Sequence, residues 1–118
     1  MKRCIENLQI WQFSRELVNH IYEITAVCKD YGLKDQIQRA AVSIMNNIAE
    51  GHDSGSDSRF IYYLNVSRGS CSEVNSMLYL CEDFKLCNSD KRIELQNEVR
   101  KISAGCLKMI NSMKEGRS

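Results

Sequence analysis

Glu50, His52 and Asp53 gather titratable groups that could hold a metal or move a proton at one predicted helix end. Helical di-metal sites need glutamate and histidine three residues apart on one helix face, with further glutamates from neighbouring helices. Here Glu50 and His52 are two apart across Gly51, so the pattern fails. His20 falls among Phe13 and Val27 along a helical pattern, away from any nucleophile motif, and reads as a partly buried packing residue. No glycine-rich phosphate loop occurs. The expectation is a protein that is not an enzyme and uses no metal or cofactor.

Cys4, Cys28, Cys71, Cys81, Cys87 and Cys106 form no Cys-x-x-Cys pair, and neither histidine stands at ligand spacing from them. Cys28, Cys71, Cys81 and Cys106 fall at apolar repeat positions, where a reduced thiol behaves as a small hydrophobe. Cys4 and Cys87 lie outside those repeats and are expected to be the exposed thiols.

The remaining chemistry is polar recognition. Over residues 33–50, Leu33, Ile37, Ala40, Ala41, Ile44 and Ile48 recur at the three-and-four spacing of a core-facing helix stripe. Gln36, Arg39, Ser43, Asn47 and Glu50 recur at the same spacing one position away. A core helix normally has no ordered polar ladder at its margin, so this seam is either a binding groove or a hydrogen-bond network that sets helix register. The second reading is preferred, because buried polar networks specify packing.

The elements that must carry these residues are four helices. Their expected bounds are about 7–29, 33–50, 56–86 and 90–114, separated by brief turns, with residues 114–118 as a loose tail. Helix one repeats Ile10, Ser14, Leu17, Ile21, Ile24 and Cys28 and stops at Gly32, and Gly51 is placed just past the end of helix two. Helix three repeats Phe60, Leu64, Ser67, Cys71, Val74, Leu78 and Cys81; helix four repeats Leu95, Val99, Ile102, Cys106, Met109 and Met113. Seven-residue repeats favour shallow crossing angles, and short loops favour antiparallel neighbours, so the fold is predicted to be all-α, an antiparallel up-and-down four-helix bundle. The chain contains no proline, which suits it. Its 118 residues fit one domain, 1–118. Neither a signal peptide nor an apolar run of about 20 residues is visible, so a cytoplasmic protein with no membrane association is expected. Sixteen basic against fifteen acidic residues give a net charge of +1, so any affinity for nucleic acid needs a local patch.

Helices one and three carry more apolar surface than one core can use. Trp11, Val18, Tyr22 and Thr25 flank the first seam; Tyr63, Val66, Met77, Leu80 and Phe84 form a second stripe on helix three, with Ser70 and Glu73 inside it. The surplus is either a wide core face or a subunit interface; one small bundle cannot easily hide both stripes, and self-association is the natural way to bury what remains. A carboxylate within an apolar stripe needs a partner. Pairing helices two and three about the turn at 52–55 sets Glu73 beside Leu33 and near Gln36 and Arg39, one of which is expected to pair with it. The same register brings Asn47 and Glu50 to Arg59, and Ser43 to Tyr63. Gly69 and Gly105 are read as points of close helix contact.

The run Ile10-Trp11-Gln12-Phe13-Ser14 with Leu17-Val18 and Ile21-Tyr22, then Tyr31-Gly32-Leu33, Gln36-Ile37, Arg39 to Ile44 and Asn47 to Gly51, closely resembles the bacterial four-helix bundle proteins encoded in intervening sequences of 23S ribosomal RNA genes. Phe60, Leu64, Gly69-Ser70 and Glu73 extend the match, which covers about residues 8–82. The resemblance implies a homopentamer and a role involving structured RNA or the ribosome. More distantly the chain resembles the accessory variability proteins of diversity-generating retroelements, which implies a basic pentamer and offers an alternative role as an adaptor for a reverse transcriptase or another mobile-element protein. Gln38 stands where relatives tend to have a second arginine, His52-Asp53-Ser54 where they tend to be basic, and Met45 where proline is common. Fewer cations at those positions lower the expected attraction for phosphate.

Overall fold

The structure, a computed structural model, describes residues 4–116. A 3-10 turn over Ile5–Asn7 leads into α1 (Gln9–Thr25), α2 (Tyr31–His52), α3 (Asp57–Asp83) and α4 (Ser89–Glu115). The molecule measures 49 × 21 × 20 Å, as expected when the longest helices, about 40 Å at 1.5 Å per residue, run parallel to the long axis. Contacts join α1 to α2, α2 to α3, α3 to α4 and α4 back to α1. This is the predicted up-and-down bundle.

The stripes read from spacing form its core. Leu17, Ile21, Ile37, Ala41, Ile44, Ile48, Leu64, Val74, Leu78, Cys81, Leu95, Ile102 and Cys106 have no exposed surface. Ile24, Phe60, Met109 and Met113 are only partly buried and pack against that core, while Thr25, Ser70, Gln96 and Ile110 take fully or nearly fully buried places that spacing did not assign to the seams.

Several boundaries differ from expectation. α1 ends at Thr25, whose Oγ1 donates to the Ile21 carbonyl oxygen at 2.7 Å and accepts from Gln38 Nε2 at 3.0 Å. Cys28 therefore lies in the connection, still buried, with Sγ donating to the Asp30 carbonyl oxygen. Gly32 does not stop α1; it sits in the first turn of α2, whose cap is Asp30, accepting from the Leu33 amide at 3.1 Å. Gly51 does not follow α2 but lies inside it, and its backbone is not left-handed. Its smallness is needed for another reason: a Cβ there would meet Phe60 Cδ1 at 2.8 Å and Tyr63 Cβ at 3.0 Å. Gly105 is a close-contact glycine as expected, because a Cβ would meet Ile10 Cγ2 at 2.5 Å. Gly69 is not; nothing lies within 4 Å of the same position there. α4 runs one residue further than predicted, and residues 117–118 of the expected tail lie outside the described residues.

α3 closes with a Schellman arrangement. Lys85 takes a left-handed backbone at φ 63°, its amide donates to the Glu82 carbonyl oxygen at 3.0 Å, and the Leu86 amide donates to the Cys81 carbonyl oxygen at 2.8 Å. Among the described residues the other positive φ is that of Gly55, in the turn before α3.

Candidate functional site

Two features compete for function: the face built around α2 and the outward face of α4. The α2 face holds the predicted polar seam, although in a different register. Ser43 Oγ is 2.9 Å from Ser70 Oγ, and Asn47 Nδ2 donates to the Ser43 carbonyl oxygen at 2.8 Å and to its Oγ at 3.0 Å. Ser43 thus meets Ser70 rather than Tyr63, a displacement of about two helical turns. The turn lies one residue further along than expected, which accounts for only part of the shift, and Ser67 Oγ donates to the Ile44 carbonyl oxygen at 2.9 Å in the observed register.

Glu73 is exposed rather than buried. Arg39 does not pair with it: Arg39 Nε donates to Asp35 Oδ2 at 2.8 Å, one turn back on its own helix, and both side chains are largely exposed. Gln36 is exposed too. Gln36, Arg39, Ser43, Ser70 and Glu73 nevertheless line one shallow groove between α2 and α3. A second groove, between α1 and α2, is lined by Tyr22, Asp35, Gln38, Arg39, Asn46 and Asn47. Glu50 and Arg59 stay apart and exposed; Asn47 turns back to Ser43 instead of reaching Arg59, whose amide caps onto Ser56 Oγ at 3.2 Å. The ladder is therefore a short hydroxyl and amide chain at its middle and two solvated grooves at its flanks.

The apolar stripes divide in a similar way. Trp11, Val18 and Met77 are partly buried against the core; Tyr63 and Val66 are half-buried. Tyr22, Leu80 and Phe84 are 46 %, 41 % and 52 % exposed. By topology they lie near the end that carries the α1–α2 and α3–α4 connections, where Val27, Tyr31, Tyr79 and Ile93 are also exposed.

Among the described residues the titratable groups do not converge on a reaction centre. His20 Nδ1 sits 2.9 Å from Glu98 Oε1, bridging α1 and α4 rather than packing with Val27, which is exposed. His52 Nδ1 lies 3.0 Å from Asp53 Oδ1. Cys71, Cys81 and Cys106 are buried, and burial pushes each thiol up to about 12, far from the nucleophilic thiolate. Cys4 is exposed and Cys87 partly so. Among the described residues no three histidine, cysteine, aspartate or glutamate side chains gather as a metal site would require.

Spacing alone missed the polar contacts between α3 and α4. Arg92 Nε pairs with Glu82, its Nη1 donates to Gln96 Oε1 at 2.8 Å, its guanidinium lies 4.7 Å from the Tyr79 ring centroid, and Gln96 Nε2 donates to the Asn75 carbonyl oxygen at 3.1 Å. The Glu82 hydrogen bond raises the Arg92 guanidinium above its ordinary value. Spacing also missed the row of exposed cations on α4, although the charge asymmetry that marks it is plain in the sequence.

The protein family described as 23S rRNA-intervening sequence protein matches residues 6–112. A solved protein of unknown function from the S23 ribosomal protein family of Bacteroides thetaiotaomicron VPI-5482 has a similar fold, with a TM-score of 0.75 over 91 % of this chain and 98 % of that one, at 21 % identity. No functionally curated protein is significantly similar to the chain. No helix among the described residues is long and apolar enough to cross a membrane. A family match over nearly the whole bundle, together with the same fold in a protein of related name, places the chain in the 23S rRNA-intervening sequence protein family.

Proposed function

We propose that the protein is a non-enzymatic, self-assembling helical module, a homopentamer, that binds structured RNA. The observation that carries assembly is the α2 face: exposed Tyr22 on α1, exposed Leu80 on α3 and exposed Phe84 just past its end border a helix whose outward groups are mostly uncharged amides and hydroxyls. Apolar side chains rimmed by uncharged polar groups are what a subunit interface is made of. The family's description ties it to ribosomal RNA genes, which supports RNA as the ligand class.

Light scattering on purified protein at micromolar concentration tests the reading. The parent chain is expected at about five times the chain mass. Leu80→Lys with Phe84→Lys is expected to give a folded monomer, because two ammonium groups cannot be left unpaired in a closed interface. A monomeric parent would refute assembly. Full-sized particles from the double variant would move the interface off this face.

A further inference from the structure

We propose that the outward face of the C-terminal half of α4 is where the sugar–phosphate backbone of RNA lies, on the opposite side of the bundle from the α2 face. The inference rests on the reading of the protein as an RNA-binding module and says which surface does the binding. Between Val99 and Lys114, α4 carries Arg100, Lys101, Lys108 and Lys114 and no carboxylate. All four are exposed. At 100° per residue they fall within one outward arc of the helix, and at 1.5 Å per residue they span about 20 Å, enough to follow several successive phosphates.

Their pairing state separates this row from the rest of the helix. In the N-terminal half of α4 the charges alternate and are engaged: Lys91 Nζ is 3.3 Å from Glu94 Oε2, Arg92 pairs with Glu82, and Glu98 faces His20. Among the described residues none of the four C-terminal cations has a carboxylate within salt-bridge distance. Arg100 Nη1 donates to the neutral Asn97 Oδ1 at 3.1 Å, and Lys101 Nζ stands 3.9 Å from the Phe13 ring centroid. These neutral contacts hold two of the charges against the surface without cancelling them.

The ordinary explanation for cations toward a helix C-terminus is the macrodipole, which acts only within the last turn and so accounts for Lys114 alone. Arg100 and Lys101 lie about four turns from the end of α4. Solubility is also a poor explanation, since a solvated helix face mixes both signs, as the first half of this one does. A row of unneutralised cations fits a polymer of regularly spaced anions, and such contacts dominate nucleic-acid affinity. Beside the row, Ala104, Leu107, Asn111 and Ser112 leave a shallow depression that Lys108 borders and that Glu115 closes at its C-terminal end. The chain's net charge of +1 conceals this face because, apart from Glu115 at its C-terminal edge, the acidic side chains of the chain lie outside the stretch from Val99 to Glu115.

The test is fluorescence anisotropy of a labelled RNA stem–loop with single-stranded flanks, titrated with the full chain between 50 and 200 mM salt. Three or four phosphate contacts predict that log K falls against log salt with a slope of about −2 to −4. Neutralising two cations, in Lys101→Gln with Lys108→Gln or in Arg100→Gln with Lys114→Gln, should reduce the slope by about 1.5 each, and the quadruple variant should lose at least tenfold in affinity at the lower salt. Lys29→Gln with Arg59→Gln, exposed cations away from the row, should bind as the parent does. Circular dichroism confirms that each variant is folded. Salt-dependent binding by the parent that survives in the folded quadruple variant would overturn the α4 assignment and leave the RNA reading standing. No binding by the parent at the lower salt would overturn both. Displacement of the RNA by polyglutamate as readily as by unlabelled RNA would overturn the phosphate backbone as occupant in favour of an acidic protein.

Discussion

Ser67 donates from inside α3 to the backbone carbonyl oxygen of Ile44 in α2 at 2.9 Å, with both residues wholly buried. A carbonyl oxygen has two lone pairs, so this one can serve its own helix and Ser67 together. A side chain as small as serine lets the helices approach closely and satisfies its own hydroxyl in doing so. Ser67→Ala should cost about 0.5–1.5 kcal/mol, the net worth of one hydrogen bond. Ser67→Leu should cost about 1–3 kcal/mol or more, because the helices must separate to admit it. Urea denaturation of both variants gives the comparison; equal losses would show that packing distance is not what the serine protects.

One substitution should have opposite signs at two glycines. Gly105→Ala drives a methyl into Ile10 Cγ2, on a stiff β-branched side chain, and should destabilise by about 1–3 kcal/mol. Gly69→Ala adds a better helix former into open space and should stabilise by about 0.5–1 kcal/mol. Thermal melts of the two variants should bracket the parent.

Lys85 holds a left-handed conformation that costs an L-residue roughly 1–2 kcal/mol. Lys85→Gly removes that cost and adds back unfolded-chain entropy, for a net gain of about 0.5–1 kcal/mol. A variant that melts below the parent would mean that the lysine side chain contributes more than its backbone costs.

The thiols should sort by burial. A chromogenic disulfide reagent at pH 8 should react quickly with Cys4, more slowly with Cys87, whose thiol is also raised by burial, and with the other four only after unfolding. Cys71, Cys81 and Cys106 keep their protons in the folded chain up to about 12, against 9.0 for an ordinary thiol. Above pH 9 the unfolded chain therefore binds fewer protons than the native one, and stability must fall as pH rises toward 12. Denaturant midpoints at pH 8, 9.5 and 10.5 should decline in that order, and replacing one buried thiol by alanine should flatten the decline.

Helix type and core membership were legible in the sequence because burial imposes a period on residue type; Ile37, Ala41, Ile44 and Ile48 could hardly be read otherwise. Register was not legible. It depends on where α2 ends and on which small residues touch, and neither Ser43–Ser70 nor Ser67–Ile44 leaves a periodic trace. Gly51 misled for a related reason, since glycine marks a left-handed turn and a close approach with the same letter. Lys85 takes the place where glycine would have announced a helix stop. Glu73 was expected to need a buried partner because its neighbours Val66 and Met77 are apolar, yet its side of α3 is open to solvent. The α4 cations were legible throughout, as four positive charges without a negative one between Val99 and Lys114, but whole-chain neutrality drew attention away from them.

Three of the four helix interfaces join neighbours in sequence, and only the seam of α1 with α4 brings distant parts of the chain together. Chains dominated by such local contacts fold fast, because little loop entropy is lost before each contact forms. The α1–α4 closure, held by Ile10 against Gly105 and by His20 against Glu98, is the step with the largest loop to close. Damage to it should therefore leave the refolding rate nearly unchanged and appear as faster unfolding. The lifetime of the folded bundle would then be set by its last-formed seam.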